Sequence, residues 1–206
     1  VISNTQYSNT GARAAIRKVG TGVLTLTNTN SYSGGTAIAG GELMVNSTDG
    51  SGTGTGPVTV MGNGRLSGSG TVGGAVIVEA GGELAPGAPT GSLTLEKGVE
   101  ILAGGMLSFD IHPATGGNDR LVLGDTLKMK GILRIVTTGD TELAAGNEFQ
   151  LVNGPIGGLP ASISPMYPGA GLAWDLSDFE KAGIVRVTTG SGIETVSARV
   201  QLYPNP

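Results

Sequence analysis

GAVIVEAGGEL, residues Gly74–Leu84, decides how this chain is read. Val76 and Val78 flank Ile77, a Gly-Gly corner follows, and Glu83-Leu84 opens the next straight piece. The same phrase stands one period earlier as GPVTVMGNGRL (Gly56–Leu66) and returns, shortened, as GGTAIAGGEL (Gly34–Leu43) and GVEILAGGML (Gly98–Leu107). The copies start at Gly34, Gly56, Gly74 and Gly98. A period of roughly 20 residues is one coil of a solenoid.

Side chains alternate across a strand, so the outer pair of Val58-Thr59-Val60 and of Val76-Ile77-Val78 shares one face. Leu24-Thr25-Leu26, Leu93-Thr94-Leu95 and Leu133-Arg134-Ile135 repeat the scheme with Thr or Arg at the centre. Strands this short bury their apolar face only by stacking on the next coil, about 4.8 Å away. Glycine supplies the corners, because it reaches positive φ without a Cβ clash. The pattern predicts an all-β fold, a single-stranded right-handed parallel β-helix (β-solenoid) with a β-rich C-terminal cap.

The 206 residues include 38 glycines and 10 prolines, a content that approaches low-complexity chains. The regular apolar alternation argues for order instead. There is no cysteine, which is compatible with export. A net charge of −4 with scattered Lys and Arg leaves no footprint for nucleic acid. No apolar run reaches the ~18 residues of a transmembrane helix, and VISNTQYSN lacks the basic and apolar regions of a signal peptide. The expected organisation is an entry strand or cap over 1–17, β-helix repeats over 18–136, further coils and a cap over 137–190, and a tail over 191–206. Within the third part, Leu143–Gly146 and Asp178–Ala182 read as single helical turns, and Phe149–Val152 and Ile184–Thr188 as strands. Trp174 is expected to cover the last apolar rung.

Several motifs, taken in order, resemble the autotransporter-associated β-strand repeat, also called the passenger-associated transport repeat. They are KVGTGVLTL (Lys18–Leu26), SYSGGT (Ser31–Thr36), GGELMVN (Gly40–Asn46), SGTGTGPVTV (Ser51–Val60), LSGSGTVGG (Leu66–Gly74) and GGELAPG (Gly81–Gly87). The resemblance covers about residues 16–110 and implies a secreted bacterial β-helical passenger whose helix is a scaffold. The ending Tyr203-Pro204-Asn205-Pro206 resembles the start of a type A C-terminal sorting domain of the type IX secretion system. That implies export machinery as a partner and the surface or exterior of a Gram-negative, Bacteroidota-like cell.

Chemistry is sparse. The lone histidine, His112, lies two positions from Asp110 on an expected strand, so the two share a face, and Asp119 and Asp125 follow. This is the best place for general acid–base work. Its turn-edge setting, with Pro113 next, favours a structural role. Glu79 and Glu83 flank a corner and read as a solvated pair rather than a glycosidase dyad. Tyr32 is expected to pack its ring over an exposed corner, and Asp49-Gly50 to close a turn. Pro86 and Pro89 should make their corner bulge outward. No catalytic, cofactor or metal residues are therefore assigned. The expected function is a non-enzymatic passenger or scaffold module, with an adhesive role toward glycans or cell-surface partners open to it. The alternatives are a glycan-binding module using Tyr32 or Trp174, and a polysaccharide-degrading enzyme using Asp110, His112 and Asp119.

Overall fold

Each copy of the repeat becomes one coil, and each coil gives one strand to each of two long parallel sheets. The structure, a computed structural model, describes residues 13–87 and 90–190. Most of the expected N-terminal cap and the whole 191–206 tail, with its sorting motif, lie outside those residues.

The first sheet stacks Ile16–Lys18, Thr36–Ile38, Val58–Val60, Val76–Val78, Val99–Ile101, Leu127–Met129 and Ile156–Gly157. The second stacks Val23–Leu26, Gly41–Val45, Gly64–Gly68, Glu83–Pro86, Met106–His112, Ile132–Thr137 and Ser162–Ser164. A third, shorter sheet begins only at Thr71–Val72 and continues through Ser92–Leu95, Arg120–Leu123 and Val152–Asn153. All these neighbours pair in parallel, so the chain is a parallel β-helix. No helix among the described residues is long and apolar enough to cross a membrane.

Register follows the repeat. Leu43 pairs with Leu66, Leu66 with Leu84, and Leu84 with Leu107, and all four are fully buried. The column runs on through Leu133 to Ile163. Val58, Val76, Val99 and Leu127 form a parallel column on the first sheet. Burying each such side chain contributes about 1.5–3 kcal/mol, and only stacking makes that burial available to strands this short. Gly74 shows why one corner residue is fixed: a Cβ there would collide with the Gly56 carbonyl one coil above.

The C-terminal end is closed by an antiparallel sheet of Glu148–Gln150, Ile184–Thr189 and Leu172–Asp175. A single helical turn, Phe179–Ala182, buries Phe179 against the core and ends at Gly183 in the left-handed region. Trp174 packs partly buried on the core and donates its Nε1–H to the Pro165 carbonyl at 2.9 Å. At the opposite end Lys18 points inward in register with Ile38. Its buried ammonium donates to the carbonyls of Val19, Gly20 and Gly40 at 2.9–3.0 Å.

Several expectations need correction. Leu24 is 38% exposed although it heads the leucine column, because its strand is the outermost of the second sheet and nothing described stacks beyond it. Coils lengthen beyond the expected period toward the C-terminus: Leu107 pairs with Leu133, and Leu133 with Ile163. Tyr32 is not a lid on an exposed corner; its ring is fully buried and its hydroxyl lies 2.6 Å from the Thr36 hydroxyl. Pro86 does not bulge outward. It is buried at the end of its strand, and Gly87 next to it exchanges two hydrogen bonds with Gly68. Pro89 lies outside the described residues. Leu143–Gly146 is a turn closed by Asn147 rather than a helical one. Phe149–Val152 divides between two sheets, Glu148–Gln150 in the cap and Val152–Asn153 in the third sheet.

Candidate functional site

The outward face of the second sheet gathers a connected row of charge. Because strands stack in register, Glu42, Arg65 and Glu83 fall in one row across three coils. Arg65 reaches both neighbours, at 3.7 Å from Glu42 and 3.3 Å from Glu83. Arg134, two coils further down, meets the other oxygen of Glu83 at 3.4 Å. Ser67 donates its hydroxyl to Glu42. This row is more than a line of solvated ions, since the small outward residues beneath it, Ser67 and Ser108, are both buried.

One edge of that face is walled by an excursion. After Met106–His112 the chain reverses through a tight antiparallel pairing with Gly117–Asn118 and brings Asp119 back beside Asp110. The Asp119 amide donates to the Asp110 carbonyl at 2.8 Å, and the Asp110 amide returns a bond to Asp119 Oδ2 at 3.1 Å. Asp119 Oδ1 accepts the Gly91 amide at 3.1 Å. Asp119 is only 2% exposed. Burial pushes its carboxyl up to about 6, against the lowering effect of those two amides; the Asp110 charge adds to the rise and Arg65 opposes it. Burial also pushes Asp110 up, with Arg65 and Arg134 opposing and Glu83 reinforcing. Gly87 makes the close approach possible, since a Cβ at its φ of +85° would run into the Asp119 carboxylate.

These elements enclose a cleft of about 390 Å³. Glu42, Arg65, Asp110 and Asp119 supply its polar wall, and Met44 and Pro86 its apolar one. The volume lies within the range of small-molecule sites. Arg65 Nε and Ser108 Oγ are buried without a hydrogen-bond partner among the described residues.

Of the residues singled out from sequence, Asp110 and Asp119 come together here. His112 shares the outward face of Asp110 at the end of the same strand, but it does not line the cleft, and its Nδ1 is buried without a partner among the described residues. Glu83 pairs with arginines rather than with Glu79. Tyr32 lies fully buried inside a coil, Trp174 lies partly buried on the cap, and neither lines the cleft. Sequence reasoning gives Glu42, Arg65 and Arg134 no part in a site. The signal was available: once the leucines at 43, 66 and 84 are aligned, the residue before each reads Glu, Arg, Glu. No group of three or more His, Cys, Asp or Glu side chains placed to hold a metal ion occurs among the described residues.

Comparison with known proteins bears on the coils rather than on the cleft. The passenger-associated transport repeat family matches residues 16–45. No curated protein matches the chain. The matched span opens with the first strand of the first sheet and closes with the second strand of the second, Gly41–Val45. Residues 16–45 thus carry a repeat of the kind associated with autotransporter passengers, and it is a unit of the β-helix.

Proposed function

We propose that this chain is a secreted or cell-surface β-helical passenger module that acts as a scaffold and not as an enzyme. The supporting observation is the coincidence of repeat and coil: the family match spans one coil and the onset of the next, and the same register continues beyond it. A solenoid of this kind makes mainly neighbour-to-neighbour contacts, so folding propagates coil by coil from one end. That suits a chain that must fold after, or while, crossing a membrane. The Tyr-Pro-Asn-Pro ending points to a type IX route from a Bacteroidota-like cell, with the export machinery as its partner. An adhesive role would use the flat outer faces.

The test is fractionation of cells producing the protein with and without everything beyond Val200. Loss of the truncated form from the surface and medium is expected; equally efficient delivery would remove the tail as a sorting signal. The non-enzymatic reading has its own check. An Asp110→Asn, His112→Ala double variant and the wild type should both leave acidic and neutral polysaccharides intact. Depolymerisation by the wild type that vanishes in the double variant would establish the enzyme instead.

A further inference from the structure

We propose that the cleft between Arg65 and Asp119 binds a neutral saccharide, held by carboxylate and guanidinium groups against an apolar wall. The proposal stands apart from the export route and would survive its failure. Three observations carry it. The first is the composition of the cleft. Carboxylates at 42, 110 and 119 accept from hydroxyls, Arg65 donates to hydroxyl or ring oxygens, and Met44 and Pro86 face the C–H side of a pyranose.

The second is the state of the polar groups. Buried polar atoms are nearly always hydrogen-bonded, and leaving one unmade costs free energy. Among the described residues Arg65 Nε has only the Glu42 carboxylate, at 3.7 Å and beyond hydrogen-bond reach, and Ser108 Oγ, two positions before Asp110 on the same outward face, has no hydrogen-bond partner. The Arg65 side chain as a whole is 42% exposed and lines the cleft, so its guanidinium can donate to a ligand hydroxyl there.

The third is rigidity. Two of the carboxylates are held before any ligand arrives, Asp119 by two backbone amides and Glu42 by Ser67 and Arg65. Such preorganisation lowers the entropic cost of binding. The charge balance selects neutrality. Glu42, Glu83, Asp110 and Asp119 outnumber Arg65 and Arg134, so a uronate or sulfated sugar meets net repulsion, while the guanidinium inside the cleft opposes a divalent cation.

The test is a titration of ¹⁵N-labelled protein followed by amide chemical shifts. Four probes are added separately to about 20 mM: a neutral glucan trisaccharide, a neutral mannan trisaccharide, trigalacturonate and calcium chloride. The expected result is saturable shifts of Arg65, Gly87, Asp110 and Asp119 with at least one neutral trisaccharide, and none with the other two probes. Arg65→Met, which keeps the aliphatic stem, and Asp110→Asn should each weaken binding about tenfold or more. Glu100→Gln on the first sheet should leave it unchanged. The two cleft variants are independent, so a folding defect in one leaves the other to decide. Absence of cleft shifts with both neutral probes overturns the proposal. So do shifts with calcium alone, stronger shifts with trigalacturonate, or wild-type affinity in both cleft variants.

Discussion

The early coils and the late coils share two sheets but close their third side differently. The coil from Val58 to its partner Val76 is short, and the one from Leu133 to Ile163 is more than half as long again. Length alone does not decide which coils gain a third strand, because the short coil from Val58 to Val76 already carries the first strand of the third sheet, Thr71–Val72. In the coils before it the third side is filled by small polar residues instead, buried and hydrogen-bonded through their side chains within and between coils. Asn30 donates to the Gly52 carbonyl at 2.7 Å, Ser51 donates to the Gly54 carbonyl at 2.7 Å, and the Gly73 amide donates to Ser51 Oγ at 2.8 Å. In the late coils the same side is a proper sheet, and Leu93, Leu95, Leu121 and Leu151 fill the interior. Side-chain hydrogen bonds thus stand in for ladder hydrogen bonds in the coils that form no third strand. The stretch STDGSGTGTG (Ser47–Gly56), loop-like by composition, is stacked structure for that reason: most of it is buried, and Ser51 bridges to Thr71.

The sharpest way to break the comparison is at the column both halves share. Leu84 sits midway, paired with Leu66 above and Leu107 below. Leu84→Asp places a carboxylate among apolar neighbours with no partner, and a loss of about 4–5 kcal/mol is expected in urea titration. Because the column is continuous, both halves should unfold in one transition. Hydrogen exchange showing intact late coils beside unfolded early ones would mean that the halves are independent units.

A smaller effect, confined to the late half, is expected at the cap. Phe179 is fully buried under the terminal coil and is the main apolar anchor of the helical turn. Phe179→Ala should cost about 3–4 kcal/mol. Amide protection should drop first in Ile184–Thr189 and Ile156–Gly157, with the coils before Gly82 retaining theirs.

Asp119 sharpens the contrast through pH, since it is the carboxyl that the late coils bury. Its carboxyl is raised in the fold, so the folded state holds the proton more tightly than the unfolded chain does. The sign follows: the stabilising protonated form is fully present below about 3.8 and is lost as pH rises through about 6. The rise corresponds to at most about 3 kcal/mol, all of it a cost at pH 7. Asp110 shifts in the same direction. Stability by denaturant titration should therefore fall between pH 4 and pH 7, and Asp119→Asn should flatten that slope. An unchanged slope in the variant would assign it to other carboxylates.

How much of this was legible in the sequence depends on what had to be local. The leucine column was legible because a repeat places identical residues at identical depth, and Leu43, Leu66, Leu84 and Leu107 needed only alignment. The Glu42–Arg65–Glu83 row was equally available, but only to a reader who aligned outward positions as well as inward ones. Asp119 was not: its burial depends on the reversal at Gly117–Asn118 and on the room left by Gly87. Leu24 failed for the opposite reason. Its local pattern is that of a core residue, and its exposure comes from its place at the end of the stack.

The smallest expected effect lies in the early half and tests whether its polar filling contributes stability or only fills space. Tyr32 is the largest side chain there, fully buried, with its hydroxyl against Thr36 Oγ1. Burial pushes its phenol up, and the hydrogen bond to Thr36 opposes the rise. Tyr32→Phe keeps the ring and removes the bond, so about 1 kcal/mol should be lost, with Thr36 left as an unpaired buried hydroxyl. Thr36→Val should cost a similar amount by orphaning the phenol. The double variant removes both partners and should lose less than the two singles together, a coupling that appears only if the bond itself contributes. Strict additivity in the cycle would mean that the ring fills the short coil and the hydroxyls are incidental. The early coils would then be held by shape, as the late ones are.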